Sequence, residues 1–198
     1  MTTRSLDQGD LLSGGTMAEV LSARGLDVAR MTPSYVRHKP GQSLTVAYEI
    51  ETGAQKPTWG YVHWEADQAR CDHRWAKSLT LRPRPSGFGP GLCRLDQHAI
   101  LYGLPNDARL RRLRWYTAPR KLKRALAPLG GSGPPFSAKR TSVDILRFKP
   151  ERRMVAAVEL GRADGFRRRV VVRYATARNA PMLAAAATHL SRHGLGVA

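Results

Sequence analysis

Two stretches decide the fold: YVRHKPGQSLTVAYEI at positions 35–50 and ILRFKPERRMVAAVEL at positions 145–160. In each, a basic extended segment runs into Lys-Pro, which starts a turn, and a second apolar segment follows. In the first stretch Leu44, Val46 and Tyr48 fall on alternate positions, as they do in a strand with one buried face. The two stretches align at a constant offset of 110 residues. Five aligned pairs are identical: Arg37/Arg147, Lys39/Lys149, Pro40/Pro150, Ala47/Ala157 and Glu49/Glu159.

The alignment continues without a gap into a third segment, where residues 61–64 lie over residues 171–174. A helical pattern at 65–78 follows the first of these segments, and an Ala-rich helix from Asn179 follows the second. We therefore predict an α+β fold with two small antiparallel three-stranded sheets, each flanked by helices and related by duplication. The alternative is that Arg-x-Lys-Pro followed by alternation is only a common way to enter a hairpin.

Residues outside the two stretches set the predicted domain boundaries. The segment GGSGPP at positions 130–135 is the best linker in the chain. We expect an N-terminal module over residues 1–129, a linker over 130–141 and a second module over 142–198.

The charge of the chain is lopsided. It has 33 Lys and Arg residues against 15 Asp and Glu residues, a formal net charge of +18. Such a surface attracts polyanions, whether nucleic acid, nucleotide phosphates or anionic lipid. A general bias toward Arg and Ala across the chain, without a binding site behind it, is the alternative explanation.

Several classes of protein are excluded by the composition. Two cysteines cannot build a disulfide framework. The sequence contains no CxxC motif, so a structural zinc site of that kind is not expected. The N-terminus lacks the apolar segment of a secretory signal, and the longest nearly uncharged helical stretch, 180–190, is too short to span a bilayer. We therefore expect a cytoplasmic protein that does not enter a membrane.

The two Lys-Pro stretches also carry a resemblance to a known family. With Pro105-Asn106-Asp107 between them and the basic strand at 170–174 after them, they resemble, in order, a bacterial branch of the aminoglycoside phosphotransferase family. These are small-molecule kinases whose fold is similar to that of protein kinases. The resemblance covers the chain from about Met31 to its end.

The resemblance implies a kinase-like N-terminal lobe at 142–198, preceded by a degenerate relative. In such lobes ATP lies under the turn between the first two strands, and a Lys on the third strand holds its phosphates. The residues that fall on these positions, and that we expect to bind nucleotide, are Lys149, Glu151, Arg152, Arg153 and Arg173. Arg in place of Lys keeps the charge and offers a two-pronged contact to phosphate.

The chain also departs from the family pattern. The turn has no Gly-rich sequence, the helix after Arg173 has no Glu to pair with it, and no H-x-D motif for a catalytic base occurs. We therefore expect the nucleotide-binding portion of a small-molecule (aminoglycoside or sugar) phosphotransferase-like protein, catalytically incomplete as given and without catalytic residues of its own. Mg²⁺ would be a cofactor only if a C-terminal lobe supplied its ligands.

Other interpretations stay open. The Arg-rich surface, with clusters at 109–114 and 121–124, also fits a nucleic-acid-binding protein, and a third possibility is a scaffold that recruits a partner. Trp59 and Tyr61 share one strand face, as either a base-stacking platform or a sheet face packed on a helix. Cys71, His73 and Cys93 have no regular metal-ligand spacing, so no metal site is predicted.

Overall fold

The computed structural model describes residues 5–53, 56–115, 118–131 and 133–176. The chain forms two compact units, Met1–Arg111 and Arg112–Ala198. The helices are α1 (Gln8–Leu12), α2 (Gly14–Ser22), α3 (Gln68–Leu79) and α4 (Pro119–Leu126), with 3-10 helices at Arg111–Trp115 and Ala127–Gly130. The strands are β1 (Arg30–Lys39), β2 (Ser43–Glu51), β3 (Thr58–Glu65), β4 (Leu92–Arg94), β5 (Ala99–Gly103), β6 (Ser137–Lys149), β7 (Arg153–Gly161) and β8 (Arg167–Ala175).

The first unit is built on an antiparallel sheet. Within the described residues its five strands run in the order β1-β2-β3-β5-β4. The alternating residues Leu44, Val46 and Tyr48 of β2 lie in one buried cluster with Leu11 of α1 and Met17 of α2. The Tyr48 hydroxyl donates to the Leu11 carbonyl, which gives this buried polar atom a partner. Burial of the apolar face of β2 against α1 and α2 therefore forms the core of the first unit.

Helix α3 packs on the other side of this sheet. The side chain of Asp67 caps it by accepting from the backbone N–H groups of Ala69 at 2.8 Å and Arg70 at 3.3 Å. The hydroxyls of Ser78 on α3 and Tyr102 on β5 lie 2.7 Å apart and share a hydrogen bond. Because β3 ends only two residues before this cap, the first residues of α3 lie beside the end of β3.

The second unit is built on a smaller antiparallel sheet, in the order β6-β7-β8 among the described strands. Its buried cluster joins Leu122 of α4 to Phe136 and to Val158, Leu160 and Val170 of the sheet. Helix α4 therefore covers one face of this sheet, and burial of these apolar side chains holds the unit together.

The β1-β2-β3 and β6-β7-β8 meanders share their strand order and their register. Lys39 pairs with Ser43, and Lys149 pairs with Arg153, at the same offset of 110 residues. Likewise Glu65, the last residue of β3, lies opposite Ser43. At the equivalent position Ala175, the last residue of β8, lies opposite Arg153. Each first strand also has a bulge, before 35 in β1 and before 147 in β6, and the two registers differ between these positions. The predicted pair of three-strand meanders is present in the structure.

The structure differs from the prediction in three respects. The first sheet has β5 and β4 added at its β3 edge, so the predicted three-stranded sheet is wrong for this unit. The units divide at Arg111/Arg112, and α4 packs with the second sheet, whereas the sequence placed residues up to 129 in the first module. Strand β6 begins at Ser137, inside the stretch 130–141 predicted as linker. The predicted helix from Asn179 lies outside the described residues.

None of the described helices is long and apolar enough to cross a bilayer.

Candidate functional site

One face of the second sheet carries four cations near the β6–β7 turn. Arg147 and Arg173 both lie opposite Val155, one on each side, and Lys149 lies opposite Arg153. Residues directly opposite one another, and residues two apart in one strand, project from the same face of a sheet. Arg147, Lys149, Arg153 and Arg173 therefore share a face, which we name the cationic face.

The four residues of the cationic face lie on three neighbouring strands. Neighbouring strands are about 4.8 Å apart, so the backbones of Arg147 and Arg173 are separated by about 10 Å. The Arg147 and Arg173 side chains are exposed, and those of Lys149 and Arg153 are half-buried. Partial desolvation, followed by the charges of Arg147, Arg153 and Arg152, lowers the pKa of the Lys149 ammonium. The cationic face thus concentrates positive charge, which attracts anions.

The other two residues predicted to bind nucleotide, Glu151 and Arg152, lie in the β6–β7 turn and differ in exposure. Glu151 adopts a left-handed backbone conformation, with φ of 61°, and is only 3% exposed. The backbone N–H of Arg152 donates to the Lys149 carbonyl at 3.1 Å and closes the turn, while the Arg152 side chain is exposed. The Glu151 carboxyl is therefore kept from solvent, and the Arg152 guanidinium is exposed to it.

Apolar side chains lie next to the cations. Val155 lies between Arg147 and Arg173, and Val171, 50% exposed, is two residues along β8 from Arg173 on the same face. Most small-molecule sites combine an apolar surface with a few charged groups. This face offers both to a ligand with a flat ring and an anionic tail.

Sequence reasoning found three of the four members of the cationic face. Lys149, Arg153 and Arg173 lie together, Arg152 is in the adjoining turn and Glu151 is buried. Arg147 was missed as a site residue. The signal for it was present, because a residue two positions before Lys149 in a strand shares its face.

In the first unit, the position that corresponds to Arg173 is held by a buried histidine. His63 lies opposite Thr45, and its Nδ1 is 2.8 Å from the Thr45 Oγ1. Its Nε2 is 2.9 Å from a carboxylate oxygen of Glu65, and Arg37 donates to Thr45 at 3.2 Å. In the Nε2–H tautomer these bonds run in one direction, from Arg37 through Thr45 and His63 to Glu65. Both ring nitrogens of His63 therefore have a partner inside the first unit.

The proposed base-stacking platform of Trp59 and Tyr61 is wrong for Tyr61. Its side chain is fully buried and its ring stacks on that of Tyr102, with centroids 4.6 Å apart and an interplanar angle of 4°. The Tyr61 hydroxyl accepts from the backbone N–H of Ala108 at 3.1 Å. Both the ring and the hydroxyl therefore take part in packing inside the first unit.

The Pro-Asn-Asp motif at 105–107 has a structural role. The Asn106 amide nitrogen donates to the carbonyls of Arg84 at 2.8 Å and Gly103 at 2.7 Å, and its oxygen accepts from the Arg84 N–H at 2.8 Å. The Asp107 carboxylate accepts from the backbone N–H of Arg109 at 2.8 Å and Leu110 at 2.7 Å. Asn106 thus holds the Pro- and Gly-rich loop against β5, and Asp107 caps the turn that follows.

Both cysteines lie in the first unit. Burial raises the pKa of the Cys71 thiol to about 11. Cys93 is half-buried, and its thiol lies 3.6 Å from the Arg94 carbonyl. In the part of the chain that the structure describes, no group of three or more His, Cys, Asp or Glu side chains is placed to hold a metal ion.

No protein-family model, curated protein or solved structure matched the chain.

Proposed function

We propose that the second unit binds the phosphates of a nucleotide such as ATP, as the nucleotide-binding lobe of a small-molecule phosphotransferase-like protein. The observation that carries the proposal is the register, which sets Arg147 and Arg173 on the two sides of Val155. Both lie beside the Lys149–Arg153 pair. Four cations on one face, with the backbones of Arg147 and Arg173 about 10 Å apart, suit a polyphosphate better than a single monoanion.

Under this proposal each residue has a role. Arg173 and Arg147 offer two-pronged contacts to phosphate oxygens, and Lys149 and Arg153 offer further donors at the turn. Arg152 extends the positive charge onto the turn, and the apolar surface at Val171 suits the base. Glu151 takes no part in phosphate contact, because it is buried.

The resemblance to the aminoglycoside phosphotransferase family supports the same assignment. The first two strands with their Lys-Pro turn and the basic residue on the third strand occur here in the family's order. The match in strand order and register between the two meanders supports an origin by duplication, in which His63 replaces the basic residue of the third strand. Under this proposal the second meander is the one that binds nucleotide.

The experiment that tests the proposal is calorimetric titration of the chain with a non-hydrolysable ATP analogue, for the natural sequence and for Arg173→Ala. The proposal requires saturable binding that Arg173→Ala weakens. Equal affinity of the two proteins, or binding by neither, would remove the nucleotide site from this unit.

A second candidate function, nucleic-acid binding, is favoured by the basic residues of α4. Arg120, Lys121 and Arg124 are exposed, and Arg120 and Arg124 line a cleft of about 640 Å³ in the second unit. Binding through such a surface would weaken steeply with salt and depend little on sequence, because it releases counterions from phosphates. A fluorescence anisotropy titration with single-stranded RNA at low and moderate salt tests it, and no change in anisotropy at low salt would exclude it.

A further inference from the structure

The first unit contains a cleft that the proposed function does not use. It has a volume of about 420 Å³ and lies between α3, the end of β3 and the segment after β5. Small-molecule sites commonly have volumes of about 300–1,000 Å³. The residues that line it are Glu65, Ala69, Arg70, His73, Arg74, Lys77, Ser78, Leu81, Ala108 and Arg109.

Four cations surround the cleft. Arg70, Arg74 and Lys77 are spaced by four and three residues on α3, which places them on one face of the helix. Arg109 approaches from the segment after β5. Against them the lining contributes a single carboxylate, that of Glu65, so the cleft carries an excess of positive charge.

The carboxylate at the base of the cleft is buried, and only one of its two oxygens has a hydrogen-bond partner among the described residues. Glu65 is 4% exposed, and its Oε1 lies 2.9 Å from His63 Nε2 and 3.4 Å from Arg74 Nε. Its Oε2 is buried and has no hydrogen-bond partner within the described residues. The Nε of Arg70 lies 3.9 Å from Oε2, and the Arg70 side chain is 58% exposed. A buried carboxylate oxygen without a donor is costly, so a ligand that supplies one gains affinity.

The Glu65 carboxylate is held in place and ionised. Burial alone raises its pKa, but the hydrogen bond and electrostatic attraction of His63, followed by the charges of Arg74 and Arg70, outweigh burial and bring the pKa below its ordinary value. His63 is itself held by Thr45 and, through it, by Arg37. Oε2 is therefore a fixed negative acceptor in a cleft lined by positive side chains.

We propose that this cleft binds a small zwitterion that carries both a phosphate monoester and an ammonium group. The ammonium donates to Glu65 Oε2, and the phosphate is held by Lys77, Arg109 and the guanidinium of Arg70. Arg70 turns from Oε2 to the phosphate as the ammonium takes its place. The apolar walls at Ala69, Leu81 and Ala108 contact the carbon chain between the two charged groups.

The test compares two ligands that differ only in the ammonium group: O-phosphoethanolamine and ethyl phosphate, each titrated into the whole chain by calorimetry. O-phosphoethanolamine should bind at least about tenfold more tightly than ethyl phosphate. Lys77→Ala and Arg109→Ala should each weaken both ligands about tenfold, because they remove a phosphate contact. Lys56→Ala, which removes an exposed Lys just before β3, at the opposite end of that strand from Glu65, should change neither affinity.

Glu65→Gln should abolish the preference for O-phosphoethanolamine while ethyl phosphate still binds. If that variant does not fold, the comparison of the two ligands on the natural chain still tests the proposal. Equal affinity for both ligands, or no saturable binding of either below about 10 mM, would overturn the proposal. Displacement of O-phosphoethanolamine by single-stranded RNA, with no binding of ethyl phosphate, would also overturn it and assign the cleft to nucleic acid. Loss of ATP-analogue binding at the cationic face would not affect this result, because the two sites share no residue.

Discussion

His63 of β3 and Arg173 of β8 occupy the same position in two meanders that share their register, 110 residues apart. His63 lies opposite Thr45, and Arg173 lies opposite Val155. The histidine is buried and bonded on both ring nitrogens, whereas the arginine is exposed. Equivalent positions of the two meanders thus have different roles. In the first unit the position holds a buried, hydrogen-bonded histidine, and in the second it holds an arginine that is exposed to solvent.

The hydrogen-bonded chain through His63 should contribute measurably to stability. Thr45→Val removes the hydroxyl between Arg37 and His63 and leaves a buried ring nitrogen without its partner. We expect a loss of about 1–2 kcal/mol in the free energy of unfolding, measured with urea. Thr32→Val, at an exposed position of β1, is the matched control and should change stability by less than about 0.5 kcal/mol. Equal effects of the two substitutions would show that the chain is not stabilising.

The carboxylate of Glu65 should make stability depend on pH. Its pKa in the folded protein lies below its ordinary value of 4.5, so the folded state binds its proton less tightly than the unfolded state. The stabilisation is therefore complete above pH 4.5 and is lost as pH falls through the lower folded pKa. Urea unfolding across this range should show a shallower acid-side loss for Glu65→Gln than for the natural chain, and Glu19→Gln, exposed on α2, should leave the curve unchanged. Parallel curves for all three proteins would contradict the assignment.

The local pattern of the sequence predicted the two meanders, but not the two further strands that extend the first sheet. The strands β1–β3 and β6–β8 follow from short turns and alternating residues, which act over a few positions. The addition of β5 and β4 to the first sheet depends on a long connection through α3 and the Pro- and Gly-rich loop, and no local pattern specifies which edge such strands join. Glu65 was likewise not identified, because its chemistry arises from burial and from contacts with residues of α3.

Asn106 should be a structural residue. Asn106→Ala removes its bonds to the loop at Arg84 and to the end of β5 at Gly103. We expect a loss of about 2 kcal/mol in the free energy of unfolding and faster amide exchange in the loop 82–91. Gln97→Ala, an exposed polar residue of the same unit, is the control. If Asn106→Ala keeps full stability but loses ligand binding, the motif is functional and this assignment is incorrect.

The two thiols should differ in reactivity. With a pKa of about 11, about one Cys71 in a thousand is thiolate at pH 8, and its side chain is buried. Iodoacetamide should therefore modify Cys93 at least about a hundredfold faster than Cys71 in the folded protein. Peptide mass spectrometry distinguishes the sites, and addition of urea should equalise the rates. Comparable native rates would show that Cys71 is accessible.

The most direct test of the central claim, that the cationic face binds nucleotide phosphates, is the affinity for a non-hydrolysable ATP analogue of Arg173→Ala against Arg169→Ala. Arg169 is also exposed and on the same face of β8, but it lies four residues, about 13 Å, from Arg173. Calorimetry should show that Arg173→Ala weakens binding by about 1.5–3 kcal/mol, the range for a charged hydrogen bond, and that Arg169→Ala changes it little. Equal weakening by both substitutions would indicate attraction by net charge alone, and no effect of Arg173→Ala would contradict the assignment of a nucleotide site to this face.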